Sequence, residues 1–190
     1  MVKLDFTKFV PEQGRLLISE PFMKDPNFKR SVILLASHSE EGSVGFVLNR
    51  SMDLKLEQVI EQFDETNFPI YDGGPVQRNG LFYIHTLGDA IPDSVNIMGD
   101  LYWGGNFETV KALLQGKNIK QNEMRLFIGY SGWSAGQLEE EIKRNSWLVA
   151  PASIDIVMNN DWNQLWKDVL KSMGKEYEIL ANFPENPLWN

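Results

Sequence analysis

The sequence predicts an α+β fold, and three observations carry the prediction. Strand-like segments follow one another before the helix-like ones begin, as expected when strands and helices segregate instead of alternating. The first two long apolar segments are joined by Ser39-Glu40-Glu41-Gly42, too short for a crossover helix, so they pair antiparallel. Both segments are almost continuously apolar, which suits a sheet covered on both faces. The expectation is a mostly antiparallel sheet flanked by about four helices, in a single domain over residues 1–190. Residues 1–13 would form an arm, 14–174 the core and 175–190 a tail. With 190 residues and 43% apolar content, the chain lies in the range of about 100–200 residues usual for one core.

The arm offers Leu4, Phe6 and Phe9 to the core and ends at Pro11. Leu16-Leu17-Ile18 reads as a buried strand stopped by Pro21, because proline cannot continue a central ladder. After a turn at Asp25-Pro26-Asn27 comes the hairpin, residues 31–36 and 44–48, with Gly42 suited to positive φ and Asn49-Arg50 as a polar exit. Leu56, Val59, Ile60 and Phe63 share one helical face behind Asp53 as N-cap. Asp72-Gly73-Gly74-Pro75 specifies a tight turn, and residues 81–85 read as a strand. Val95, Ile97, Leu101 and Trp103 suggest a strand or hairpin around Gly99-Asp100. Asn106 caps a helix whose Phe107, Val110, Leu113 and Leu114 share a face and which stops at Gly116. Residues 124–128 and 147–150 are further strand candidates. Asp161 caps the last predicted helix, with Trp162, Leu165, Trp166, Val169, Leu170 and Met173 as its stripe and Gly174 as its stop. From Glu176 onward the tail has no evident period.

The most informative stretch is 129–148, GYSGWSAGQLEEEIKRNSWL, where an apolar run enters a glycine-rich turn and leaves as a charged helix. Ser134 and Gln137 have capping-box spacing, which starts the helix near Ala135. Glu139 with Lys143 and Glu140 with Arg144 are acid-first pairs four residues apart, and Leu138 with Ile142 forms the buried face. As chemistry the stretch is incomplete. Its glycines match neither dinucleotide-binding nor P-loop spacing, and no lysine stands where a phosphate would need one. Ser131 sits as in a nucleophile elbow, but Trp133 occupies the final glycine position.

With no cysteine and only His38 and His85, a metal site would need both imidazoles plus a carboxylate such as Asp72, Asp89 or Asp100; a strand-end histidine is more often simply hydrogen-bonded. The Asn49-Arg50 exit, set against Gly73-Gly74-Pro75, would suit a carboxylate or a backbone segment, with a structural salt bridge as the plainer explanation. The net charge of -8 disfavours direct nucleic-acid binding. No stretch approaches the roughly 18 apolar residues of a membrane span, and the first residues carry no apolar leader, so a cytoplasmic placement without membrane contact is expected.

Three segments, GRLLISEPFMKDPNFKRSVILLASHSEEGSVGFVLNR at 14–50, DGGPVQRNGLFYIH at 72–85 and residues 129–148, resemble the YqgE/AlgH family of small bacterial proteins. The resemblance implies an α+β fold with a branched or barrel-like sheet. It brings a transcriptional-regulator label and no catalytic residue. Carried over position by position, it implies a conserved surface that includes Asn49, Arg50, Gly73, Gly74, Pro75, Gly129, Gly132, Trp133, Gly136, Gln137 and Leu138. Ser131 stands where the family usually has alanine, and Ser51 where it usually has proline.

The leading functional expectation is a non-enzymatic binding or regulatory module for an unidentified protein or small ligand. It would use Asn49, Arg50, Gly73, Gly74, Trp133, Gln137, His38 and His85, with no cofactor and no metal. The alternative is a hydrolase that uses His38 or His85 with a carboxylate. A DNA-binding regulator is a third possibility, without a helix-turn-helix that has a basic second helix.

Overall fold

A computed structural model describes residues 9–159 and 161–184. Leu4 and Phe6 of the expected arm, and residues 185–190 of the tail, lie outside the described residues. Among the described residues there are ten strands: β1 (Arg15–Ser19), β2 (Val32–Ser39), β3 (Gly42–Val47), β4 (Ser51–Lys55), β5 (Pro69–Asp72), β6 (Val76–His85), β7 (Val95–Met98), β8 (Leu101–Trp103), β9 (Met124–Ser134) and β10 (Trp147–Pro151). The helices are α1 (Leu56–Val59), α2 (Phe107–Gln115), α3 (Gln137–Lys143), α4 (Ile154–Val157), α5 (Leu165–Ser172) and α6 (Lys175–Ala181), four of them seven residues or longer.

The sheet runs β10-β1-β2-β3-β9-β6-β8-β7, with β4 and β5 branching from β9. Every described pairing is antiparallel except β5 with β9. The sheet does not close, ending at β10 and β7. Gln13 instead covers the edge at β7, its side-chain amide donating to the carbonyls of Asn96 (3.0 Å) and Ile97 (3.1 Å). The expected α+β architecture, mostly antiparallel and branched, is the one observed, and the sheet does not close into a barrel.

The continuous apolar run of β2 has a simple cause. Val32, Leu34 and Ala36 enter a core beneath α4, α5 and α6, while Ile33 and Leu35 enter a second core beneath α3. A third core lies under α2, around Val110, Leu114, Leu126 and Tyr83. The β2–β3 hairpin, the β7–β8 hairpin and the Asn106 cap (accepting from Thr109 N at 2.9 Å) form as expected, and Gly42 has a φ of 141°. Trp166 anchors α5 to the sheet through Nε1, donating to the Ser19 carbonyl at 3.0 Å.

Several local expectations are corrected. The helix behind Asp53 shrinks to the single turn of α1, because residues 51–55 pair with β5; Asp53 takes a φ of 53° at a register shift and Val59 is exposed. The stretch entering α3 is strand as far as Ser134, since β3 holds it in a ladder down to Gly42 opposite Ser134. Gly136 caps α3, so only half a capping box forms, with Gln137 Oε1 accepting from Ser134 N at 3.0 Å. The close ion pair on α3 is Glu140–Lys143 (2.8 Å), three residues apart, and Glu139 turns toward His38 instead. Asp161 does not cap α5, whose N-cap is Gln164; the Asp161 N–H donates to Asn159 Oδ1 at 2.9 Å in a local turn. Lastly, residues 175–181 of the tail are helical, with Tyr177, Leu180 and Ala181 buried in the first core at i, i+3 and i+4.

Candidate binding groove

β9 is the strand on which the branch turns. Its first half, residues 126–128, runs parallel to β5, and its second half, residues 131–134, pairs with β3 on the same side. Gly73 is wedged where these partners part. Its N–H donates to the Ile128 carbonyl (2.9 Å), and its carbonyl accepts from Val47 N (3.1 Å) and Ser131 Oγ (3.1 Å). A Cβ on Gly73 would overlap the Gly129 carbonyl, and one on Gly74, whose φ is 143°, would strike the Tyr130 carbonyl group. Ser131 is fully buried at this junction, with its hydroxyl bonded to a carbonyl.

The Asn49-Arg50 exit is tied to neighbouring main chain. Asn49 accepts from Val32 N and donates to the Arg30 carbonyl, both at 2.9 Å, and so prolongs the ladder beyond β3. Arg50 donates to the carbonyls of Pro26 (2.7 Å) and Lys29 (3.3 Å). Burial lowers its pKa, against the pull of Asp72 and Asp25. Arg125, fully buried on β9, lies over the Tyr71 ring and donates to the carbonyls of Leu48 (2.6 Å) and Val157 (2.7 Å). Desolvation lowers its pKa as well.

Trp133 points to the α3 side. Its indole and that of Trp147 both donate to Glu141 Oε2, at 2.9 and 2.8 Å, while Gln137 donates to Glu141 Oε1 at 3.0 Å. On the same face His38 Nδ1 meets Ser43 Oγ at 2.7 Å, and His38 Nε2 lies 3.5 Å from Glu139 Oε1. His85 belongs to another part of the molecule. It is fully buried, with Nε2 at 3.0 Å from Ser94 Oγ and 3.2 Å from the Gly104 carbonyl, and Nδ1 accepting from Leu87 N at 3.3 Å. Burial lowers its pKa and the Gly104 bond opposes that shift. The two histidines therefore do not share a partner, and among the described residues no three His, Asp or Glu side chains gather as metal ligands.

The opposite face of β2, β3 and β9 carries an open groove of about 440 Å³. Ser37 and Ser39 of β2, Gly42 and Val44 of β3, Gly132 and Tyr130 of β9, Val76 of β6 and Glu41 of the hairpin turn line it. Ser43 and Trp133 border it too, but their side chains face α3, so they contribute main chain. The floor is open because Gly132 has no side chain; a Cβ there would reach to 3.3 Å from the edge of the Tyr130 ring and 3.8 Å from Val76. Among the described residues the Ser37 hydroxyl, the Tyr130 hydroxyl and the Glu41 carboxylate make no hydrogen bond to protein, while Ser39 Oγ accepts only from Glu41 N (3.2 Å). A volume of this size suits a small molecule, for which sites run from about 300 to 1,000 Å³.

Of the groove residues, sequence reasoning singled out Gly132 and Trp133, the latter through its main chain, and left out Ser37, Ser39, Glu41, Val44, Val76 and Tyr130 as binding residues. A partial signal was present in the change from five apolar residues at 32–36 to three polar ones at 37–39.

The profile of the AlgH-like family matches residues 16–178. The chain belongs to the AlgH-like family. It is 44% identical to a UPF0301 protein of Chlorobaculum tepidum, over 93% of this chain and 95% of that one. It is also 42% identical to a UPF0301 protein of Parabacteroides distasonis, over 99% and 96%. The fold is similar to the solution structure of the AlgH protein from Pseudomonas aeruginosa, with a TM-score of 0.74, 30% identity and coverage of 90% of this chain and 94% of that one. A crystal structure of a Corynebacterium diphtheriae protein, 26% identical, gives the same TM-score over 92% of this chain and 94% of the other. Among the described residues no helix is long and apolar enough to cross a membrane.

Proposed function

We propose that the chain is a non-enzymatic binding module that takes a small ligand in the groove over β2, β3 and β9. The observation that carries this reading is the set of uncommitted polar groups, Ser37, Tyr130 and Glu41, around a floor kept clear by Gly132. The cysteine-free composition fits a cytoplasmic setting, which is part of the same proposal, as is a regulatory role exerted through ligand occupancy. Asn49, Arg50, Gly73 and Gly74 serve here by holding the branch and hairpin that shape the groove, and Trp133 and Gln137 by fixing β9 to α3. The test is native mass spectrometry of the protein purified without denaturation, beside Gly132→Leu. That substitution fills the groove, and the ordinary negative φ of Gly132 accommodates a side chain. A small molecule retained by the wild type and lost from a folded Gly132→Leu variant supports the reading. Equal retention by both overturns it.

A second reading, a hydrolase, is favoured by the Ser43–His38–Glu139 chain of contacts at 2.7 and 3.5 Å. Ser43 would be the nucleophile, His38 its base and Glu139 the orienting carboxylate. It competes with a plain cross-strand bond, since His38 and Ser43 are ladder partners and Ser43 is buried. A fluorophosphonate adduct on Ser43 that disappears in His38→Ala would establish it, and an unlabelled Ser43 would remove it.

A further inference from the structure

The groove's electrostatics narrow its ligand. Among the described residues no lysine, arginine or histidine side chain lines it, and Glu41 is the one charged side chain that does. That carboxylate has no protein partner among the described residues, and it stands next to Glu40 on a chain of net charge -8. An anionic ligand would meet repulsion from Glu41, with no cationic lining side chain among the described residues to offset it. The remaining lining is the ring of Tyr130, with Val44 and Val76 beside it, which is apolar surface for a ligand body, and hydroxyls able to accept as well as donate.

We infer that the groove binds a small molecule carrying an ammonium group, held by the Glu41 carboxylate, with an apolar or aromatic body against Tyr130 and Val76. The inference rests on the groove being a ligand site and adds the chemical class of the ligand. The ammonium supplies donors that Glu41 and the Ser37 and Tyr130 hydroxyls can accept, and a charged hydrogen bond contributes more than a neutral one. An aromatic body would share the face of the sheet on which Tyr130 packs edge-on against Phe82, with ring centroids 5.3 Å apart.

Three probes matched in shape and differing in charge test this: phenethylammonium, 3-phenylpropionate and 3-phenyl-1-propanol, titrated into the ¹⁵N-labelled full chain and followed by amide chemical shifts. Phenethylammonium is expected to move the amides of residues 41–44 and 130–132 saturably, and to bind about ten-fold tighter than either other probe. Glu41→Gln, a change on an exposed turn, is expected to remove that advantage while leaving the melting temperature in place. Equal or tighter binding of the carboxylate or the alcohol in the groove overturns the ammonium assignment and leaves the groove reading standing. Shifts confined to the second groove, where Asp100, Glu123 and Asp155 lie, overturn the assignment too. If none of the three probes moves the groove amides, the groove reading falls with it.

Discussion

The β3–β9 ladder has two faces that the same few residues treat in opposite ways. Toward α3 it is closed: Trp133, Trp147, Leu138 and Ile142 are buried together, and one carboxylate, Glu141, accepts both indole N–H groups. Toward the groove it is open, with glycine at 132, serines at 37 and 39 of the adjoining β2, and polar groups left without protein partners among the described residues. The difference teaches where stability and binding reside. The closed face has used its hydrogen bonds to build the fold, and the open face has kept them available.

The comparison breaks most sharply at Glu141. Glu141→Ala leaves two largely buried indole donors without an acceptor, at about 1–3 kcal/mol each, so a loss of about 2–6 kcal/mol is expected in urea unfolding. A loss below about 1 kcal/mol would mean that the double bond to the tryptophans is incidental.

His85 extends the comparison to a second closed region. Its pKa is lowered by burial, so the unfolded chain binds the proton more readily than the native one. The stability that neutral His85 confers is complete above the unfolded value near ~6.5 and is lost as pH falls through that value toward the lower folded one. Unfolding free energy should therefore decline on the acid side of about pH 6.5, with a contribution of at most about 1.4 kcal/mol per pH unit that His85→Gln removes. A slope identical in wild type and variant would contradict the assigned environment.

The smallest effect is expected on the open face. Ser37→Ala deletes a hydroxyl that bonds to no protein group among the described residues, so stability should change by less than about 0.5 kcal/mol by thermal unfolding, while retention of the groove's ligand weakens. A large stability loss there would erase the distinction between the faces.

Much of the fold was legible in the chain because its signals are local. The hairpin loop, the continuous apolar strands, the Asn106 cap and the stripe of α5 each follow from neighbouring residues. Failures came where distant pairing overrode a local period. Residues 51–55 read as the approach to a helix until β5 paired with them, and residues 129–134 read as a turn until β3 extended the ladder to Ser134. In the tail, Tyr177, Leu180 and Ala181 were too short a period to stand out without the core they enter.

What the sequence by itself determined is therefore the fold class, the family and which strands are covered on both faces, since periodicity, turn chemistry and motif order are properties of adjacent residues. What only the tertiary structure decided is the groove. Counting alternately from Val32, Leu34 and Ala36 places Ser37 on the α3 side, but the register shift between Leu35 and Ser37 pairs Ser37 with Val44 and turns it to the other face. A single extra residue in the ladder reverses the facing of every side chain after it, and its effect becomes visible only once the partner strand is in place.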